Sequence, residues 1–155
     1  MLLEEQFEKA KGDASFRQQF LDQIELGDIS RFVRSVRYNP HQGMKGDKPA
    51  SMSCSRNINI LLGMFYFLPF RKSNINVYPF AFDDNYLPTI NYFLNVLIDH
   101  EGQHAKDCYF NPFIVFNDQK MEFNAYRNEM IQSEKRGLSD NWRASLARSY
   151  CQRFL

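Results

Sequence analysis

Cysteine is scarce: Cys54, Cys108 and Cys151 are the three in a chain of 155 residues. An odd, widely spaced set is not a disulfide framework, and without a C-x-x-C there is no thiolate zinc knuckle. The expectation is three reduced thiols, small and partly buried. Long apolar runs are lacking too. None reaches the roughly 18 residues of a membrane-spanning helix. The N-terminal Leu2-Leu3-Glu4-Glu5 carries an acidic pair where a signal peptide carries basic charge, so the expected setting is cytoplasmic, with no membrane partner. There is no excess of one sign of charge: the formal net charge is +1, which gives no general reason to expect nucleic acid as a partner. Internal repeats and low-complexity segments are missing as well. One domain over 1–155 therefore suffices.

Apolar and aromatic residues are plentiful. The apolar fraction is 44%, with 15 Phe and 8 Tyr, which is enough for a packed core. Residues 1–56 read as a helical part followed by a loop. Phe7, Phe16, Phe20, Ile24, Ile29, Phe32, Val33 and Val36 recur at helical spacing. Gly12-Asp13 and Gly27-Asp28 interrupt them as a helix end followed by a cap, which predicts three short helices. Arg31, Arg34 and Arg37 follow at spacings of three on the third. They read as a solvated face, with an anion-binding stripe as the alternative. Asn39-Pro40, Gly43, Gly46-Asp47 and Pro49 punctuate a loop over 38–56 that holds His41, read as exposed.

Residues 57–136 look different. A dense run from Ile58 to Leu68, a polar turn at 69–74 and the partly alternating Ile75, Val77, Tyr78, Phe80 and Phe82 predict two antiparallel strands. Pro79 cannot donate to a ladder, which makes the second strand an edge. Pro88 suits the first turn of a helix over about 88–109, with Ile90, Phe93, Leu94, Leu97, Glu101, His104 and Cys108 on one stripe. After Asn111-Pro112 and Asn117-Asp118, with Asp118 as a cap, a helix over about 119–136 ends before Gly137. Ser139 or Asp140 can cap a last helix within 137–155. The fold class is α+β: mainly helical, with a small antiparallel sheet ahead of the helix at 88–109.

That helix carries His100-Glu101-Gly102-Gln103-His104, an H-E-x-x-H. Residues four apart share a helix face, so both imidazoles can grip one metal ion, and Glu101 stands beside it to take a proton from water. Glu101 and His104 lie on the apolar stripe, where burial without partners costs several kcal/mol. A catalytic zinc (Zn2+) takes three protein ligands and leaves a fourth position open. Glu122, on the next helix, is the best third ligand, and Tyr126 lies one turn beyond it. Asp107 shares a side with His104 and is open as a ligand or outer partner. Asp99 and Asp118 read as exposed or capping groups.

With these residues the chain resembles the gluzincin group of zinc metallopeptidases, which have H-E-x-x-H on one helix and a ligating glutamate on the next. The resemblance covers about residues 75–131. It implies a zincin-like fold, zinc held by His100, His104 and Glu122, and Glu101 as general base. It also implies a peptide or protein substrate held by the edge strand of the preceding sheet, for which 74–82 is in the right order. Glu122 to Tyr126 is similar to the E-x-x-A segment of small bacterial members. Many members carry Asp four residues after the glutamate, to orient a histidine; here Tyr126 stands there, a candidate to stabilise the oxyanion. The leading expectation is a zinc metallopeptidase. The alternative is a silent or latent zincin-like binding module, and a third reading is a partner- or nucleic-acid-binding protein using the three arginines.

Overall fold

The structure, a computed structural model, describes residues 2–41, 48–54, 58–61, 64–67 and 70–154. Gly43, Gly46 and Asp47 of the expected loop, Leu62 and Leu68 of the apolar run, and Pro69 of the polar turn lie outside the described residues. So do the side chains of 58–61 and 64–67. The architecture is α+β, mainly helical with a small sheet. Among the described residues no helix is long and apolar enough to cross a membrane.

Helices α1 (Leu3–Gly12) and α2 (Arg17–Asp22) open the chain. Between them the Asp13 carboxylate accepts the Ser15 N–H and caps a short turn, as the Gly-Asp break predicts. Gly27 adopts φ +53, a left-handed conformation that favours glycine. It starts a single 3-10 turn, Gly27–Arg31. The expected third helix is absent. Strand β1 (Val33–Tyr38) stands there instead, because Val33 and Val36 are β-branched and a partner strand overrides a weak helical period. Arg31 therefore sits in a turn while Arg34 and Arg37 are exposed on a strand, so the three do not form one helical stripe.

The sheet is mixed, which corrects the antiparallel sheet expected. Its order is β1-β5-β2, with β5 (Ser73–Val77) parallel to β1 and antiparallel to β2 (Ala50–Ser53). Residues 50–53 were expected as loop from the Asn, Pro and Gly punctuation around them; Ala50-Ser51-Met52-Ser53 does alternate apolar and polar, but four residues are too short a run to outweigh it. β5 is central rather than an edge: it stops at Val77, and Pro79 starts a 3-10 turn, Pro79–Phe82. Among the described residues β1 and β2 are the two edges of this sheet. The apolar run forms its own hairpin, β3 (Ile58–Leu61) with β4 (Met64–Phe67), and does not pair with 75–82.

Residues 90–110 are helical throughout. α3 (Ile90–Leu94) runs into a π-helical stretch, Asn95–Glu101, and then into α4 (Gly102–Phe110). A 3-10 turn, Pro112–Phe116, leads to α5 (Asp118–Lys135) and then α6 (Asp140–Phe154). Asn117, not Asp118, caps α5, accepting the Lys120 N–H. Ser139 Oγ accepts the Trp142 N–H at the start of α6.

The first third of the chain props the motif helix. Phe7 and Phe20 of α1 and α2 form a four-ring cluster with Phe82 and Phe93, the closest pair being Phe7–Phe93 at 5.1 Å. The Glu4 carboxylate accepts the Ile90 N–H at 3.3 Å, capping the helix start. Lys11 Nζ reaches the Pro88 carbonyl at 2.7 Å. The thiol expectation is corrected as well: Cys54 and Cys108 form a disulfide with Cα atoms 6.0 Å apart, and Cys151 is free and exposed. Their separation along the chain hid the pair; β2 lying on α4 brings them together.

Candidate metal centre

The π-helical stretch ends at the motif. Such wide turns are rare and often occur at functional sites. His100 and Glu101 are its last two residues and His104 follows in α4; the two histidine rings lie 4.9 Å apart and nearly perpendicular at 86°. Both Nε2 atoms face the Glu122 carboxylate, which α5 brings back across the helix. His104 Nε2 lies 3.6 Å from Oε1 and His100 Nε2 lies 3.8 Å from Oε2. One ligand atom from each of the three residues falls within 4.8 Å of the others. Donors about 2.1 Å from a tetrahedral ion lie about 3.4 Å apart. The three side chains therefore fit one divalent cation with little movement.

The groups around them set their protonation. His100 Nδ1 bonds Glu129 Oε2 at 2.8 Å, and Glu129 is 3% exposed. Burial alone pushes the His100 pKa down. The Glu129 hydrogen bond, with the charges of Glu129, Glu101 and Glu122, outweighs it and lifts the pKa to about 9. Burial, then the charge on His100, then Lys48 push His104 down to about 3, so its ring is neutral and its Nε2 lone pair is open to a metal. Burial lifts Glu101 to about 7 against the pull of His100. The Met52 N–H of edge strand β2 also donates to Glu101, tying the strand to the carboxylate.

Glu129 was not foreseen. The resemblance places such a partner four residues beyond Glu122, where Tyr126 stands, but the histidine partner comes seven beyond, two turns along the same face. Tyr126 packs edge-on against His100, ring centroids 4.9 Å apart. Its phenol pKa is raised, chiefly by burial. Asp99 is neither exposed nor capping. It is buried and takes Arg136 with both oxygens, Nη2 to Oδ1 at 3.1 Å. Asn95 Nδ2 donates to Asp99 and Trp142 Nε1 donates to Asn95, so this network binds α5 and α6 to the motif helix. Asp107 accepts the side-chain amides of Gln103 and Asn124 at 2.7 and 2.8 Å and bridges helices outside the His-His-Glu cluster. His41 is exposed and not part of the cluster.

A cavity of about 820 Å³ opens over the cluster. β2 lines it with Ala50, Ser51 and Met52, and the next apolar wall is Val96, Trp142 and Leu146. Arg153, from the end of α6, reaches in. Its Nη1 lies 3.4 Å from Glu122 Oε2, and its guanidinium sits over the Tyr126 ring at 5.3 Å.

Fold and site together define a mainly helical α+β protein with a His-His-Glu cluster under an edge strand. No family model, no curated protein and no solved structure matches the chain.

Proposed function

We propose that the protein is a zinc-dependent metallopeptidase of the gluzincin type, with a zincin-like domain. The observation carrying this reading is the convergence of His100, His104 and Glu122 on one ion-sized point, with the Glu101 carboxylate beside it in a cavity edged by β2. A divalent ion in such a site supplies Lewis acidity, acidifying water and polarising a carbonyl. Glu101 takes the proton from the attacking water and returns it to the leaving amine; a pKa near 7 suits both transfers. Tyr126, a phenol protonated at neutral pH whose pKa burial raises further, donates a hydrogen bond to the scissile carbonyl oxygen. β2, rather than 74–82, is the edge on which an extended peptide would lie.

Metal analysis and turnover test this reading. One equivalent of zinc is expected per chain, lost in His104→Ala and in Glu122→Ala. Glu101→Gln should keep the zinc and lose roughly a thousandfold in peptide hydrolysis. Full activity in that variant sinks the assignment of Glu101, and a zinc-free wild-type protein sinks the whole reading. The second reading, a silent or latent module, is favoured by one contact: Arg153 holds the carboxylate that a metal needs. Zinc binding without hydrolysis is its signature.

A further inference from the structure

We propose that Arg153 is a carboxylate-recognition residue, so that this cavity selects peptides bearing a free carboxylate, side-chain or C-terminal, next to the bond at the cluster. The inference rests on the peptidase reading for the kind of ligand. Arg153 already holds a carboxylate, that of Glu122, and holds it loosely. The contact is single and 3.4 Å long, against 2.7–2.9 Å for a good charge-assisted hydrogen bond. A guanidinium offers five N–H donors in a fork that matches a carboxylate. Among the described residues, Glu122 is the one acceptor of a side-chain hydrogen bond from Arg153.

The placement is built. Tyr150 and Phe154 pack on Phe123 at 5.2 and 5.6 Å, seating the end of α6 on α5, while the Tyr126 ring shelves the guanidinium. The Arg153 side chain is 54% exposed, within reach of a ligand entering the cavity. Glu122 is the carboxylate a metal would take, so loading draws charge away from the present partner of Arg153. The cavity is lined by four carboxylates, Glu101, Asp118, Glu122 and Glu129, and among Lys and Arg by Lys48 and Arg153. A ligand carboxylate in this cavity therefore finds its favourable side-chain partners at Arg153 and Lys48.

The test uses the zinc-loaded E101Q protein, which binds peptide without consuming it. Trp142, the single tryptophan of the chain, lines the cavity, so its fluorescence reports occupancy. Three N-acetylated tetrapeptides are titrated: one with Glu after the central bond and an amidated C-terminus, its Gln counterpart, and the Gln peptide with a free C-terminal carboxylate. One or both acids should bind at least tenfold tighter than the neutral peptide, and which one does so identifies the source of the carboxylate. Adding R153Q should cut that preference, read as the ratio of acidic to neutral affinity, below twofold, and R153K should keep part of it. Equal binding of acidic and neutral peptides, no binding at all, or a preference that survives R153Q overturns the proposal. Preference without hydrolysis in the wild-type protein removes only the peptidase reading, and hydrolysis without preference removes only the role of Arg153.

Discussion

At the scale of single residues, His100 carries two opposed effects. Burial disfavours its cation, and the Glu129 hydrogen bond more than reverses that, leaving a pKa of about 9. Near pH 7.5 the metal-free ring is therefore protonated on both nitrogens, with Nδ1–H given to Glu129. A metal ligated through Nε2 must displace one of those protons and can leave the Nδ1–H···Glu129 bond in place. Binding should release about one proton per ion near neutral pH. The sign follows from the raised pKa: apparent affinity climbs with pH, roughly tenfold per unit, and levels off above about 9. Calorimetry in two buffers of different ionisation enthalpy counts the proton. Glu129→Gln removes the charge that holds it, so release should fall towards zero and intrinsic affinity drop roughly 10–100-fold in a chelator competition. Undiminished release in that variant would show that Glu129 does not hold the His100 proton.

At the scale of elements, the motif helix is positioned by close approach as well as by caps. Gly102, inside the H-E-x-x-H, faces Ile29 of the turn before β1. A Cβ there would sit 2.9 Å from both Ile29 Cδ1 and Cγ2. Gly102→Ala should cost about 1–3 kcal/mol in denaturant unfolding. Ile29→Ala in the same chain should recover part of that loss as a non-additive term. If Gly102→Ala unfolds at the wild-type midpoint, the approach is slack. The same elements show what a sequence can reveal. The motif helix, α5 and α6 were legible because apolar periodicity, Gly137 and the Ser139 cap are local signals, although Asn117 and not the expected Asp118 caps α5. β1 and β2 were not: Val33–Tyr38 and Ala50–Ser53 are strands because β5, far along the chain, lies between them. The histidines and Glu122 were legible from spacing. Glu129 and the Asp99–Arg136 pair were not, since their roles depend on how α5 crosses a π-helical turn that apolar periodicity does not reveal.

For the whole molecule, the Cys54–Cys108 bridge decides how firmly the cavity is closed. Cys54 follows β2, whose Met52 N–H bonds Glu101, and Cys108 lies one turn beyond His104. The bridge therefore staples edge strand β2 to the helix of the His-His-Glu cluster and encloses the β3–β4 hairpin, β5 and most of that helix in one loop. For partners 54 residues apart, the loop-entropy relation gives about 4 kcal/mol as an upper figure, and native bridges of this kind are typically worth about 2–4 kcal/mol. Such a bond persists in oxidising compartments and is lost in reducing ones. Thiol counting separates the two: the denatured, unreduced protein should show one reactive thiol, Cys151, and three after reduction. Reduction, or Cys54→Ser with Cys108→Ser, should then lower unfolding stability by about 2–4 kcal/mol. It should also speed amide exchange at Met52, because the strand loses its covalent anchor while keeping the hydrogen bond to Glu101. Three reactive thiols before reduction, with an unchanged unfolding midpoint after it, would return the cysteines to the reduced state and leave β2 held by β5 and Glu101 alone.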